Sequence, residues 1–539
     1  MTRRLMVFWG SLFWILSSAG SSAAAVPLYT GLGTVHHAVT TRSPQAQKYF
    51  DQGLRLCYAF NHDEAIRAFR EAARLDPTCA MAHWGIAFAL GPNVNWPVDA
   101  AREKEAFLEV QKARALAAKT TARERAWIEA LAARYSDDPK ADLKALDSAF
   151  ASAMRGLSTK YPDDLDAATI YAEALLDVTP WDWWTHDGKP QPGTLDAIAA
   201  LTRVLKKNPS HTGANHYYIH AVEESPGPGR ALLAANRLAK LAPNAGHLVH
   251  MPSHIYLRVG RYHDASELNR KALAVDRAYI EAEKPQGIYP MMYYGHNMHM
   301  AWSALSFEGR SKEAIRMART VADHTKPEMV REMPPMEFWV PIPYFALARF
   351  SKWDDILAEP APPPDLRYSS GMWHYARGVA FAATGKSDAA AAERDSLAAI
   401  TGAISKDLIV GLNSAAALLK LASDVLNGEC AARGGRYDEA VKSFQAAVLE
   451  EDALHYDEPP AWYAPVRQSL GWALIKARKP ADAEAAFRED LKRYPGNGWS
   501  LYGLFEALNS RGRVTEAMAA KKRFTAAWAK ADFKLTPGY

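Results

Sequence analysis

Residues 49–77 read YFDQGLRLCYAFNHDEAIRAFREAARLDP. Apolar residues recur at helical spacing on both sides of Asn61-His62, so the stretch predicts two helices joined by a tight turn. Small residues stand where the two would cross: Gly53 in the first helix, Ala65 and Ala72 in the second beside Phe69. Gly and Ala let two backbones approach closely, and Pro77 ends the second helix. One such hairpin cannot bury its own apolar face. It needs a neighbour of the same kind, and that neighbour needs another.

The neighbours are present. LGWALIKARKPADAEAAFREDLKRYP (470–495) carries Leu470, Gly471, Ala483, Phe487 and Pro495 in the same order, and LYGLFEALNSRGRVTEAMAAKKRF (501–524) carries Gly512 and Ala517. Between them lie GRYHDASELNRKAL (260–273), GRSKEAIRMARTVA (309–322), GKSDAAAAERDSL (385–397) and GGRYDEAVKSFQAAV (434–448). This pattern resembles the tetratricopeptide repeat over most of residues 40–530, with Tyr49 where Trp is usual and Gln52 where Leu is usual. The resemblance, nearest to exported bacterial tetratricopeptide-repeat proteins, implies an all-α solenoid of antiparallel helix hairpins wound into a right-handed superhelix. It also implies a scaffold that holds a peptide or protein partner along its concave groove.

Three stretches interrupt the repeats: WDWWTHDGKPQPG (181–193), AYIEAEKPQGIYPMMYY (278–294) and the Pro-rich EPAPPPDLRYSSG (359–371). The last predicts a break between two arrays, 26–358 and 372–539, the first of them carrying the histidine-rich groove. The Trp-rich segment could cap that groove or fold onto its own array.

Composition fits a globular chain: 49% of the 539 residues are hydrophobic and 23% charged. The net charge of +4 is spread along the chain without a Lys/Arg block, so nothing points to nucleic acid. Residues 1–25 join Arg3-Arg4, an apolar run LMVFWGSLFWIL and small residues ending in Ala23-Ala24-Ala25. That order is expected of a secretory signal peptide, hence a periplasmic or secreted protein with no membrane anchor after cleavage. Of the three cysteines, Cys57 and Cys79 could pair in an oxidising compartment. No P-loop, G-x-S-x-G elbow or H-E-x-x-H motif is present.

The histidines keep a register of their own. His216-x3-His220 recurs 34 residues later as His250-x3-His254, and His247-x2-His250 recurs 49 residues later as His296-x2-His299. Gly260-Arg261 and Gly309-Arg310 are separated by the same 49. Spacings of three and four put side chains on one helical face. The seven therefore occupy equivalent stripes of three consecutive first helices. By the resemblance, the positions of His247, His250, His254, Arg258, His296 and His299 line the concave wall.

Imidazole is the commonest neutral metal ligand near physiological pH, and sets of His suit Cu, Zn or Fe. The candidate ligands are His216, His220, His247, His250, His254, His296 and His299. Three or four of them would bind, with Glu173 or Glu224 as a ligand or a group orienting an imidazole. Arg258 would hold an anionic substrate group. His455, Asp457 and Glu458 in HYDEPPAWY could face the same groove from the C-terminal half. Two readings stay open: a transition-metal site, whose chemistry, if the protein is an enzyme, is metal-dependent, or a metal-free groove for a peptide partner.

Overall fold

The structure, a computed structural model, describes residues 26–536; the expected signal peptide at 1–25 lies outside the described residues. Helices run from Pro44–Cys57 to Val514–Ala527, and the described residues hold only one two-stranded ribbon, Ile409–Val410 with Asn413–Ser414. No described helix is long and apolar enough to cross a membrane.

Residues 49–77 form the expected hairpin, Pro44–Cys57 against His62–Leu75. The small residues act on one ring. A Cβ added to Gly53 would fall 2.6 Å from the Phe69 ring, and one added to Gly85, in the next helix, 2.4 Å from it. Phe69 is thus clamped between its own hairpin and the following one. The same device recurs at the far end, where Phe487 meets Gly471 at 2.4 Å and Gly503 at 2.2 Å. The two-turn aromatic slot is the physical link that makes each pair depend on its neighbour.

Two apolar cores result. One runs from Leu32 to Phe307, the other from Leu273 to Ala520. They part near residues 273–307, not at the Pro-rich segment 359–371 that was expected to divide the chain. The second core holds Phe345 and Ile356 before that segment and Tyr368 and Met372 after it, so helices Ile342–Arg349 and Arg367–Ala383 pack across it. Proline stopped a helix there but did not stop the stacking.

The solenoid closes on itself. Asp532 accepts from the Ser311 amide at 2.5 Å, Trp499 Nε1 donates to the Ser306 carbonyl at 3.1 Å, and Phe307 stacks on Tyr494. Gly260, in the left-handed region at φ 79°, sits so near the last repeats that a Cβ would lie 2.0 Å from the Pro495 carbonyl oxygen. The final hairpins are therefore pressed against the middle of the chain. Cys57 and Cys79 are both buried free thiols, so the possible disulfide is not formed.

Candidate metal centre

The histidine stripes lie on three consecutive first helices. Thr212–Glu223 carries His216 and His220, the tandem Gly246–His250 and Pro252–Arg258 carries His247, His250 and His254, and Tyr294–Phe307 carries His296 and His299. Pro252 falls at the first position of its segment, where it lacks no helical donor, and Met251 keeps helical φ/ψ, so the stripe passes through. Gly246 sets the approach: a Cβ there would meet Asp276 Oδ1 at 1.8 Å. The excess of residues at 278–294 is absorbed by the long helix Tyr262–Glu283 and a π-helical turn at Tyr289–Tyr293.

Because the solenoid closes, the stripe is interior. His216 and His250 have no exposed surface, and His220, His247 and His254 are buried with them. Burial lowers the basicity of His216, His247, His250 and His296, and neighbouring imidazoles add to this. The same burial pushes His220 down to about 3. His254 is the exception. Burial opposes its charge, but Glu458 and Glu223 beside it outweigh that and raise it to about 10.

Two triads emerge. The ligand atoms of His216, His220 and His247 lie within 4.8 Å of one another, and so do those of His250, His254 and His296. In the first, His216 Nε2 and His247 Nε2 are 3.1 Å apart and His220 Nε2 has no hydrogen-bond partner. In the second, His250 Nε2 is 2.7 Å and His296 Nε2 3.5 Å from His254 Nε2.

The outward nitrogens fix the tautomers. His216 Nδ1 faces the Tyr58 carbonyl at 2.7 Å, which can only accept. His250 Nδ1 faces Asn269 Oδ1 at 2.6 Å, while the Asn269 amide donates to the Ala265 carbonyl. His220 Nδ1 and His254 Nδ1 donate to the two oxygens of Glu223, each at 2.8 Å. His254 Nδ1 also contacts Glu458. With Nδ1 committed as donor, the neutral rings of His216, His220 and His250 each present an Nε2 lone pair inward, while His254, held protonated beside Glu223 and Glu458, carries a proton on Nε2 as well. The His250 and His254 Nε2 atoms, 2.7 Å apart, therefore share one cation, the His254 proton or a metal ion in its place. Metal-binding imidazoles show this arrangement, the far N–H given to a carboxylate or carbonyl.

The other expected site residues fall in different places. His299 joins neither triad. Its Nδ1 takes the Trp339 Nε1 proton at 3.2 Å and its ring stacks on Trp302, because the next hairpins draw it into the second core. Glu173 makes no hydrogen bond to a triad imidazole; it lies against Tyr217, and burial with Asp177 close by holds its carboxyl well above the usual range. Glu224 does not orient an imidazole; its predecessor Glu223 does. Glu224 instead lines a cavity of about 430 Å³ that reaches His254, and burial with Glu223 and Glu458 near raises it to about 8. Arg258 lines the same cavity, donates through Nε to the Glu223 carbonyl at 3.0 Å and stands over the Tyr456 ring.

Sequence reasoning missed Glu223. Its only signal was the i, i+3 spacing from His220, equal in merit to the i, i+4 of Glu224. Glu458 was in view, in HYDEPPAWY, and it is the residue of that segment that reaches the stripe. His455 turns its Nδ1 to its neighbour's carbonyl, that of Tyr456, at 2.9 Å. Of the two readings of the Trp-rich loop, the hydrogen bonds favour folding onto its own array. Trp183 and Trp184 donate to the Leu176 and Ala221 carbonyls, each at 3.0 Å, and Trp181 sets its ring edge to face against His220.

Comparison with known proteins agrees with the repeat. Residues 469–532 match the tetratricopeptide repeat family model. No curated protein matches the chain. Among solved structures, a human IFIT1 dimer with m7Gppp-AAAA aligns at 13% identity over 84% of this chain and 90% of that one, with a TM-score of 0.34. The APC/C hetero-tetramer Cut9-Hcn1 aligns at 12% identity over 91% and 95%, with a TM-score of 0.26. Yeast Tom70 aligns at 10% over 89% and 90%, with a TM-score of 0.27. The chain is an all-α solenoid of helix hairpins whose residues 469–532 match the tetratricopeptide repeat. Likeness this distant says nothing of what the chain binds.

Proposed function

We propose that the protein binds a transition metal through the imidazoles at the centre of its closed solenoid. One observation carries the reading: inward Nε2 lone pairs converge while the outward Nδ1 protons are already held by Tyr58, Asn269 and Glu223. A purely structural network would pair donors with acceptors across the core. Here the lone pairs of His216, His220 and His250 point inward, and a single cation, the His254 proton or a metal ion, must sit between His250 and His254. The ligand type suits Cu, Zn or Fe. Export, expected from residues 1–25, is part of the same proposal.

The protein-interaction role of the fold class is compatible with it. A partner would reach the stripe only by way of the cavity at His254, since the stripe itself is buried. If the protein is an enzyme, that cavity is where a substrate would meet the metal.

The test is to purify the mature protein without a histidine tag and measure bound metals by elemental mass spectrometry. A His250→Ala/His254→Ala variant serves as the control. Near-stoichiometric metal, lost in a variant that keeps its helical circular dichroism, is expected. No metal even after reconstitution with Cu, Zn and Fe would overturn the proposal.

A further inference from the structure

We infer that the centre holds two transition-metal ions rather than one, one in each histidine triad. This rests on the metal reading and deepens it. The two triads use different histidines: His216, His220 and His247 on one side, His250, His254 and His296 on the other. They adjoin without interleaving. The His220 and His254 rings are 5.7 Å apart between centroids, as are those of His247 and His250. Three imidazoles complete a trigonal set around one ion and leave an open position. Six imidazoles in two such sets exceed what one tetrahedral ion can take.

Glu223 joins the sets from behind. Its two oxygens accept from His220 Nδ1 and His254 Nδ1, the nitrogens turned away from the ion positions. It is a positioning residue for both triads, not a ligand of either. Each ion is then bound by neutral nitrogen alone.

Glu223 and Glu458 are the carboxylates in contact with the triad rings, and both stand on the Nδ1 side, so neither takes an ion position. Imidazole sets of this kind take copper or zinc.

The experiment is an anaerobic copper(I) titration of the tag-free protein against a chromophoric chelator, with zinc(II) titrated in parallel. The wild type should take two ions per chain of whichever metal binds. His216→Ala/His247→Ala and His250→Ala/His296→Ala should each keep one. Where a variant loses its helical circular dichroism, the wild type alone decides: after oxidation, two neighbouring copper(II) ions give a dipolar-coupled electron paramagnetic resonance spectrum with a half-field line. One ion per chain with an uncoupled spectrum would overturn the pair and leave the metal reading standing. No uptake of any ion would overturn both. Two zinc ions and no copper would support the pair and name zinc as its occupant.

Discussion

His220 and His254, on neighbouring first helices, are tied to one carboxylate: each gives its Nδ1 proton to a separate oxygen of Glu223, at 2.8 Å. Glu223 has no exposed surface, so neither bond is shared with water. The pair fixes two ring orientations with one residue. Orientation by an outer carboxylate is worth about 10–100-fold in metal affinity. Glu223→Gln keeps one acceptor and turns an amide N–H toward the other imidazole. Affinity should fall by about that factor, measured by chelator competition. An unchanged affinity would show that the carboxylate is only structural.

The aromatic slot predicts a stability effect of either sign of volume change. Phe69 is fully buried between Gly53 and Gly85. Phe69→Ala should cost about 3–5 kcal/mol by leaving a cavity. Gly85→Ala puts a Cβ 2.4 Å from the ring and should cost about 1–3 kcal/mol by overpacking. Urea unfolding of the two variants reads both, and a neutral Gly85→Ala would mean that the slot is loose.

A third expectation concerns pH. Asp166 accepts from Tyr58 at 2.7 Å and pairs with His37 at 2.9 Å and His211 at 3.1 Å, pinning the N-terminal segment to the array. Burial works against the charge on His37, but the bond to Asp166 prevails and its basicity is raised. That contribution is complete below the unfolded value near 6.5 and is lost as pH rises through the raised value. For Asp166 burial favours the neutral acid, yet the His211 and His37 bonds win and hold it far below the usual range. Its contribution is present above about pH 4 and disappears in acid as pH falls through the lowered value. The lock should be strongest between those limits. Melting temperature against pH should therefore lose its fall on the alkaline side in His37→Gln; an unaltered profile would mean the pair does not hold the segment.

Cysteine chemistry gives a fourth. Burial pushes the Cys57 thiol well up and the Cys79 thiol to about 11, so neither ionises readily near neutrality. A thiol reagent should label both slowly in the folded protein and all three cysteines at once in denaturant. A reductant should leave the melting temperature unchanged; a drop would reveal a bridge.

The repeat architecture and the histidine register were legible because both are local. Helical spacing, Gly53 with Phe69, and the 34- and 49-residue shifts all lie within one or two units of the chain. What escaped was set by distant packing. Glu223 and Glu224 stand equally well to His220 along the helix, and only the position of His254 on the next repeat decides for Glu223. His299 shares its stripe with His296, yet Trp339 claims it. The Pro-rich segment at 359–371 carries a clear stop signal, but a stop in one helix does not tell whether the flanking helices stack.

Closure of the solenoid also imposes an order on biosynthesis. Glu458 is made roughly 200 residues after His254, a delay of about 10–40 s at ordinary ribosomal rates. During that interval the last hairpins, which press on the helices around the imidazoles, do not yet exist. A chain halted before residue 458 would lack the Glu458 carboxylate at His254 and the hairpins that close over the stripe. Burial of the histidine stripe therefore depends on the arrival of the C-terminal repeats, as well as on the first helices that carry it.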